Sequence, residues 1–325
     1  MNIPIFVPHE GCGHDCAFCN QRTITGEAVA PTISEARNII ENYISGGSGA
    51  GDTIAFFGGS FTGIDMDMQR AYLALAHEYL QRGAVGGIRL STRPDYIDEE
   101  RLGLLKEYGV TNIELGAQSM DDGVLRAVNR GHSADDVRRA SALILDHSFT
   151  LGLQMMTGLP TDTPEKAAAT AREFVRLGAT ETRIYPTLVM EHTELATLLK
   201  SGEYVPQSVE EAAELGAELY GIFRRAGVKV LRIGLSDSEG LKQGCLAGPY
   251  HPAMGELVRS RYVRNQLEPL VENGKLNVLA PKRYISRIVG NKRCNINYFR
   301  EKGIEMTVLP GENVTVNEKE GIDCD

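Results

Sequence analysis

The chain has 325 residues, enough to bury one large core and to hold a second, smaller unit. Its 42% apolar and 24% charged content is that of an ordinary globular protein and excludes disordered or collagen-like structure. A formal charge of −9 speaks at first against a nucleic-acid partner, no apolar run approaches bilayer length, and the N-terminus lacks the basic and apolar regions of a signal peptide, so a cytoplasmic protein with no membrane partner is expected.

In chain order, runs at Ile3–Val7, Thr53–Phe57, Gly87–Ser91, Asn112–Leu115, Thr150–Met155 and Thr182–Tyr185 predict strands. Helical stretches around 33–45, 66–81, 98–107, 121–145 and 165–177 separate them. A clearer helix follows, with Val209, Ala212, Ala213, Gly216, Leu219, Tyr220 and Phe223 at helical spacing. Ser208, with Glu211 three residues on, predicts its capping box. Strands alternating with helices require right-handed crossovers and a mainly parallel sheet. Six such units predict an α/β fold, an open partial (β/α)6 TIM-like barrel, with ligand chemistry at the carboxyl ends of the strands.

After about Ser236 the pattern changes, and a boundary is expected near residue 240. Residues 1–240 would form the partial barrel and 241–325 a small, basic α+β accessory domain. Within the latter, Leu276 to about Leu309 predicts strand, helix, helix, strand. The charge is unevenly spread. Between Lys275 and Lys302 eight basic residues stand against Glu301 alone, a local +7 that leaves −16 for the rest. Such asymmetry points to an anionic partner at a basic face; a merely solvated helix face is the alternative.

Six cysteines without an export signal do not suggest a disulfide framework. Three of them, Cys12, Cys16 and Cys19, fall within eight residues, in G-C-G-H-D-C-A-F-C-N after the first strand. Tetrahedral zinc wants four ligands, which His9 or His14 would have to complete. Iron–sulfur clusters are held by thiolates, and three thiolates on a cubane leave its fourth iron open.

The spacing Cys-x3-Cys-x2-Cys, with Phe18 directly before the third cysteine, resembles that of the radical S-adenosylmethionine (SAM) superfamily. The resemblance implies a [4Fe-4S] cluster on Cys12, Cys16 and Cys19 with SAM at the open iron. It also implies an external electron donor and reductive cleavage of SAM to a 5′-deoxyadenosyl radical. F-F-G-G-S-F-T, with Gly58, Gly59 and Ser60, looks like the glycine-rich motif that receives the amino group of SAM. S-T-R-P-D-Y, N-R-G-H, M-M-T-G-L-P and I-Y-P-T-L-V resemble the radical SAM domain of the Elongator catalytic subunit. L-G-A-Q-S, the arginine twelve residues beyond Gln118, and G-L-P also resemble oxygen-independent coproporphyrinogen oxidases.

The resemblance covers roughly residues 3–235. It implies that Gln118 and Gln154 hydrogen-bond the ribose or amino-acid part of SAM and that Arg130 pairs with its carboxylate, whose two oxygens suit a guanidinium fork. Phe18, Gly58, Gly59, Ser60, Ser91 and Tyr185 complete the expected cofactor-binding set. Some positions depart from the pattern. The Elongator subunit spaces its first two cluster cysteines more widely. Ser91 stands where both relatives carry glutamate, and Gln154 where the coproporphyrinogen oxidases carry aspartate. The chain ends before an acetyltransferase domain could begin, so the complete Elongator reaction is not expected from it alone.

In the C-terminal unit, I-V-G-N-K-R-C-N-I resembles the loop of a minimal KH module, whose G-x-x-G clamps a nucleic-acid backbone. Gly290 matches the first glycine, and Arg293 replaces the second. With Lys282, Arg283, Arg287 and Lys292 it makes a candidate RNA contact, tRNA foremost. Cys245 and His251, in G-C-L-A-G-P-Y-H-P, are expected in a structural lid over the barrel mouth, with action on substrate or as a hydrogen-atom donor the alternative, and Cys294 and Cys324 are expected to be inert. The leading expectation is a radical SAM enzyme that modifies RNA. A radical SAM enzyme acting on a small molecule such as a tetrapyrrole, and a non-enzymatic metal-cluster RNA-binding protein, stay open.

Overall fold

The computed structural model describes residues 1–7, 11–20 and 29–324. Its main sheet contains β1 (Asn2–Phe6), β2 (Thr53–Phe57), β3 (Gly87–Thr92), β4 (Val110–Gln118), β5 (Thr150–Thr157), β6 (Glu181–Pro186) and β8 (Lys229–Ile233), paired in that order and all parallel. The short β7 (Val189–Met190) lies outside it. The first and last strands do not meet, so the sheet is a half-barrel open on one side. Helices α1 (Ile33–Ser45), α2 (Met66–Gln81), α3 (Glu99–Glu107), α4 (Asp122–Ala127), α5 (Ala134–Asp146), α6 (Pro164–Arg176), α7 (Glu194–Ser201) and α8 (Val209–Arg225) fill the crossovers.

Local chemistry explains where these elements start. Thr32 with Glu35, Ser133 with Asp136, and Ser208 with Glu211 form capping boxes that satisfy the first free N–H groups of α1, α5 and α8. Strand residues alternate with period two. One set, including Ile3, Ile5, Ile54, Phe56, Ile88, Leu90, Ile113, Leu115, Leu151, Leu153 and Ile184, packs under the helices in the main core. The other set carries Arg89, Ser91, Glu114, Gln154, Arg183 and Tyr185 onto the concave face. A closed barrel fills its interior with branched apolar residues, whereas this half-barrel lines it with polar ones.

Two differences from the expected elements bear on the site. A seventh strand, β8, extends the expected six. The single helix expected over 121–145 is two helices, because Asn129 (φ 53°) and Gly131 (φ 80°) leave the helical region between them. That break places Arg130 in a loop.

Beyond β8 come α9 (Glu239–Gly244), β9 (Cys245–Ala247) and α10 (Met254–Leu267). The chain then forms β10 (Lys275–Ala280), α11 (Lys282–Val289), a tight turn, α12 (Cys294–Glu301) and β11 (Glu305–Pro310), the strand–helix–helix–strand order expected. β10 and β11 are parallel, and β12 (Thr315–Val316) and β13 (Lys319–Glu320) extend the sheet in antiparallel fashion. This unit has its own core of Leu276, Val278, Ile288, Phe299 and Val316. α10 serves both cores: Met254, Val258 and Tyr262 belong to the first, Val263 and Leu267 to the second.

Candidate active site at the mouth of the half-barrel

The cysteine loop leaves β1 at the carboxyl end of the sheet and is pinned there by its backbone. Ala17 N–H donates to the Val128 carbonyl at 3.0 Å, the Ala17 carbonyl accepts from Leu195 N–H at 2.8 Å, and Gly13 N–H donates to the Tyr96 hydroxyl at 3.2 Å. Phe18 packs between Met156 on one side and Val189, Leu195 and Ala247 on the other. None of the cysteines is in a disulfide. His14 lies against Gly131, and His9 is outside the described residues.

Arg130 ties this loop to the sheet. Its Nη1 donates to Cys16 Sγ at 3.3 Å and its Nη2 to the Gly116 carbonyl on β4 at 2.5 Å. Its own carbonyl accepts from Arg93 Nη2 at 2.7 Å, and Arg93 also forms a two-point pair with Asp95. Cys12 lies in the same field. Burial raises its pKa, while the Arg130 and Arg93 charges and a backbone hydrogen bond from Ser60 act to lower it. Gly58, with φ 102°, ends β2 in a conformation that favours glycine and turns the G-G-S backbone over the loop. The Ser60 hydroxyl pairs with Thr92 Oγ1 at 2.9 Å and accepts from Arg93 N–H at 3.2 Å, so it acts as a strut. Gln118, at φ 66°, closes β4 beside Arg130.

Seven buried side-chain atoms among the described residues lack a partner, and four of them, Arg93 Nη1, Gln118 Oε1, Arg130 Nε and His132 Nδ1, belong to this neighbourhood. Burying a polar atom unpaired costs roughly 1–3 kcal/mol. Two of them, on guanidiniums, are donors that suit an anionic oxygen, and the other two, Gln118 Oε1 and His132 Nδ1, are acceptors. Together they mark a cradle for a polar group that both accepts and donates. His132 is neutral: burial, then the charges of Arg130 and Arg93, push its pKa down to about 3, and its Nε2 lies 3.2 Å from the Ala117 carbonyl.

The donor set suits a thiolate-held cluster: soft sulfur ligands on one loop, cationic groups beside them, and no fourth cysteine at close spacing. Among the described residues no three His, Cys, Asp or Glu side chains already stand as a cage for a single ion. A cubane spreads its three ligands more widely than one metal ion does.

A second group of expected residues lies deeper on the concave face, where the structure adds partners that the sequence reading did not single out. Gln154 Nε2 donates to Ser91 Oγ at 3.1 Å and to Glu114 Oε2 at 3.3 Å. Glu114, 1% exposed, accepts from Arg89 Nε at 3.0 Å and from Arg183 Nε and Nη2 at 2.5 and 3.1 Å. Arg89 also reaches Glu181 at 2.7 Å. Burial raises the Tyr185 pKa; burial opposes the Arg183 charge, but Tyr185 and Glu114 outweigh it. Arg89, Glu114 and Arg183 were legible only as charged residues alternating with apolar ones in strands that should be buried.

Other expected positions are placed as follows. Cys245, on β9, pairs with β7 in a small antiparallel ribbon, and Asn20 of the cysteine loop donates to the Glu191 carbonyl beside it at 2.8 Å. His251 Nδ1 accepts from Ala253 N–H at 3.0 Å, Cys294 sits near Ser260, and Cys324 lies in the second core. Lys282, Arg283 and Arg287 are on α11, and Lys292 and Arg293 in the following turn. Arg287 donates to the Cys324 carbonyl. Lys282, Arg283, Lys292 and Arg293 are exposed and form no salt bridge among the described residues. No helix among the described residues is long and apolar enough to cross a membrane.

Comparison with known proteins agrees with this architecture. The profile of the radical SAM superfamily matches residues 6–174, and that of a radical SAM C-terminal domain matches 180–264. A tRNA uridine(34) acetyltransferase of Dehalococcoides mccartyi (strain CBDB1) is 29% identical over 47% of this chain and 38% of its own length. Elongator complex protein 3 of Homo sapiens is 35% identical over 42% of this chain and 25% of its own. The chain therefore aligns with well under half of either relative. In fold it is similar to the archaeal Methanocaldococcus infernus Elp3 lacking residues 1–46, with a TM-score of 0.65, 22% identity, and coverage of 79% of this chain and 61% of that one. Profile, strand order and the polar mouth of the half-barrel together assign the chain to the radical SAM superfamily, enzymes that use a [4Fe-4S] cluster and SAM.

Proposed function

We propose that Cys12, Cys16 and Cys19 hold the cluster, that Arg130, Gln118, Gln154 and the Gly58–Gly59–Ser60 backbone hold SAM, and that the enzyme modifies RNA, most specifically tRNA. When bound, that cofactor pair supplies one-electron cleavage of the sulfonium to a hydrogen-abstracting 5′-deoxyadenosyl group, the electron coming from an external donor. The protein's part is positional. Arg130 bridges the cysteine loop and β4, and its unpartnered Nε offers a further donor to a carboxylate. Phe18, Ala247 and the β7–β9 ribbon pack apolar surface beside the loop, which keeps water from the site. The observation that carries the reading is the Arg130 contact to both Cys16 and Gly116, amid four unpartnered buried atoms.

The RNA part rests on the tRNA-modifying names of the relatives and on four exposed cations without a salt bridge among the described residues, Lys282 and Arg283 at the start of α11 and Lys292 and Arg293 in the turn after it. Anaerobic reconstitution with iron and sulfide, then dithionite and SAM, should yield 5′-deoxyadenosine from the wild type and none from Cys16→Ala. Salt-sensitive tRNA binding should weaken in the Arg283→Glu, Lys292→Glu double variant, whose targets are exposed. Iron and sulfide uptake without 5′-deoxyadenosine would leave a non-enzymatic cluster protein. Normal SAM cleavage with no tRNA affinity at low salt would return the small-molecule reading.

A further inference from the structure

The Gln154 amide has an orientation that its surroundings dictate. Its Nε2 is the only end able to donate, and it faces two acceptors: Ser91 Oγ at 3.1 Å and Glu114 Oε2 at 3.3 Å. The Glu114 carboxylate lies between the guanidiniums of Arg89 and Arg183 and can only accept. Turning the amide over would set Gln154 Oε1 against that carboxylate. Both N–H groups of Gln154 are thus committed to the floor of the half-barrel. Its Oε1, the remaining end of the amide, accepts no hydrogen bond among the described residues and is left as a fixed acceptor.

Glu114 has no room to do otherwise. It is nine-tenths or more buried, and a methyl group added at Gly152 on the neighbouring strand would sit 2.8 Å from its Cγ. Arg183 in turn stacks over the Phe57 ring, 5.1 Å from the centroid. The chemistry of the donor that meets Gln154 Oε1 follows from the field around it. Arg89 and Arg183 stand against the carboxylates of Glu114 and Glu181, so the charges balance: an incoming ammonium gains no net attraction to offset its desolvation, whereas a neutral hydroxyl loses little. SAM carries neutral hydroxyls only on its ribose.

We propose that Glu114, a residue that touches no cofactor atom, is the positioning residue that fixes the Gln154 carbonyl as the acceptor for a ribose hydroxyl of SAM. Ser91, at the other N–H, assists it. This rests on the SAM-binding reading above and extends it to hydroxyl recognition. A carboxylate is still used at this level of the barrel, but it stands on β4 and acts through an amide on β5.

The test compares equilibrium binding of S-adenosylhomocysteine with that of its 2′-deoxy and 3′-deoxy analogues, by calorimetry on the cluster-reconstituted protein. Wild type should prefer the ribo ligand to one of the deoxy analogues by about tenfold, the scale of one hydrogen bond near 1.4 kcal/mol. Glu114→Gln should reduce that preference towards one, because a neutral amide no longer forces the Gln154 orientation, while affinity for the deoxy analogue stays within about twofold. Ser91→Ala leaves both arginine pairs of Glu114 intact and keeps the test usable if Glu114→Gln unfolds; it should halve the preference or more. Gln154→Leu should abolish it. Equal weakening of ribo and deoxy ligands in the variants, or an unchanged ratio, would refute a positioning role and leave Glu114 a structural brace. Wild-type binding with no ribo preference overturns this inference alone, whereas no binding of any of the nucleosides removes the SAM reading with it.

Discussion

A single methyl group at Gly116 probes the core of the site. A Cβ there would stand 2.9 Å from Arg130 Nη2 and 3.0 Å from Gln118 Nε2, closer than side chains pack without something shifting. The Arg130 bond to the Gly116 carbonyl is only 2.5 Å long, so the guanidinium has no slack in that direction. Relieving the clash moves it by roughly half an ångström, which loosens a charge-assisted hydrogen bond worth about 1.5–3 kcal/mol. Gly116→Ala is therefore expected to weaken SAM binding by about tenfold or more and to lower stability by about 1–3 kcal/mol through overpacking. Gly216→Ala serves as the control. Its Cβ would meet Val258 Cγ2 at 2.6 Å between α8 and α10, far in the fold from Arg130, so it should cost stability and leave SAM affinity unchanged. Calorimetric SAM titration and urea unfolding measure the two effects. In a double-mutant cycle with Arg130→Ala the binding losses should not add, because both changes remove the same contact. SAM affinity in Gly116→Ala within twofold of wild type would refute the placement of Arg130 and Gln118 at the cofactor.

Two further outcomes are expected. Arg293 occupies the left-handed region at φ 62°, where a residue with a Cβ pays roughly 1–2 kcal/mol and glycine loses about 0.5–1 kcal/mol in chain freedom. Arg293→Gly should hence be neutral to about 1 kcal/mol more stable in urea yet bind tRNA more weakly in a gel shift; loss of stability would contradict the turn geometry. His132 has a folded-state pKa pushed down to about 3, below its usual 6.5, so below pH 6.5 the unfolded chain takes up a proton that the fold refuses. Its contribution is full above pH 6.5 and is lost as pH falls towards 3, by about 2 kcal/mol at pH 5. Comparing wild type with His132→Gln in urea at pH 7 and pH 5 should show that loss only in wild type, and parallel curves would exclude it.

Much of this protein was legible in one dimension because local chemistry is local. The alternation in R-L-S, I-E-L-G and R-I-Y marks strands, Ser208 and Glu211 mark a helix start, and three cysteines within eight residues mark a candidate metal loop, all from neighbours in the chain. The order strand–helix–helix–strand near the C-terminus was legible for the same reason. The three-dimensional arrangement alone decided what these residues meet. Arg130 reaches Cys16 across 114 positions, and Glu114 gathers Arg89, Gln154 and Arg183 from three different strands, contacts set by sheet order and register. The break at Asn129 and Gly131 and the division of α10 between two cores likewise answer to packing, since burial energy accrues only when distant segments come together.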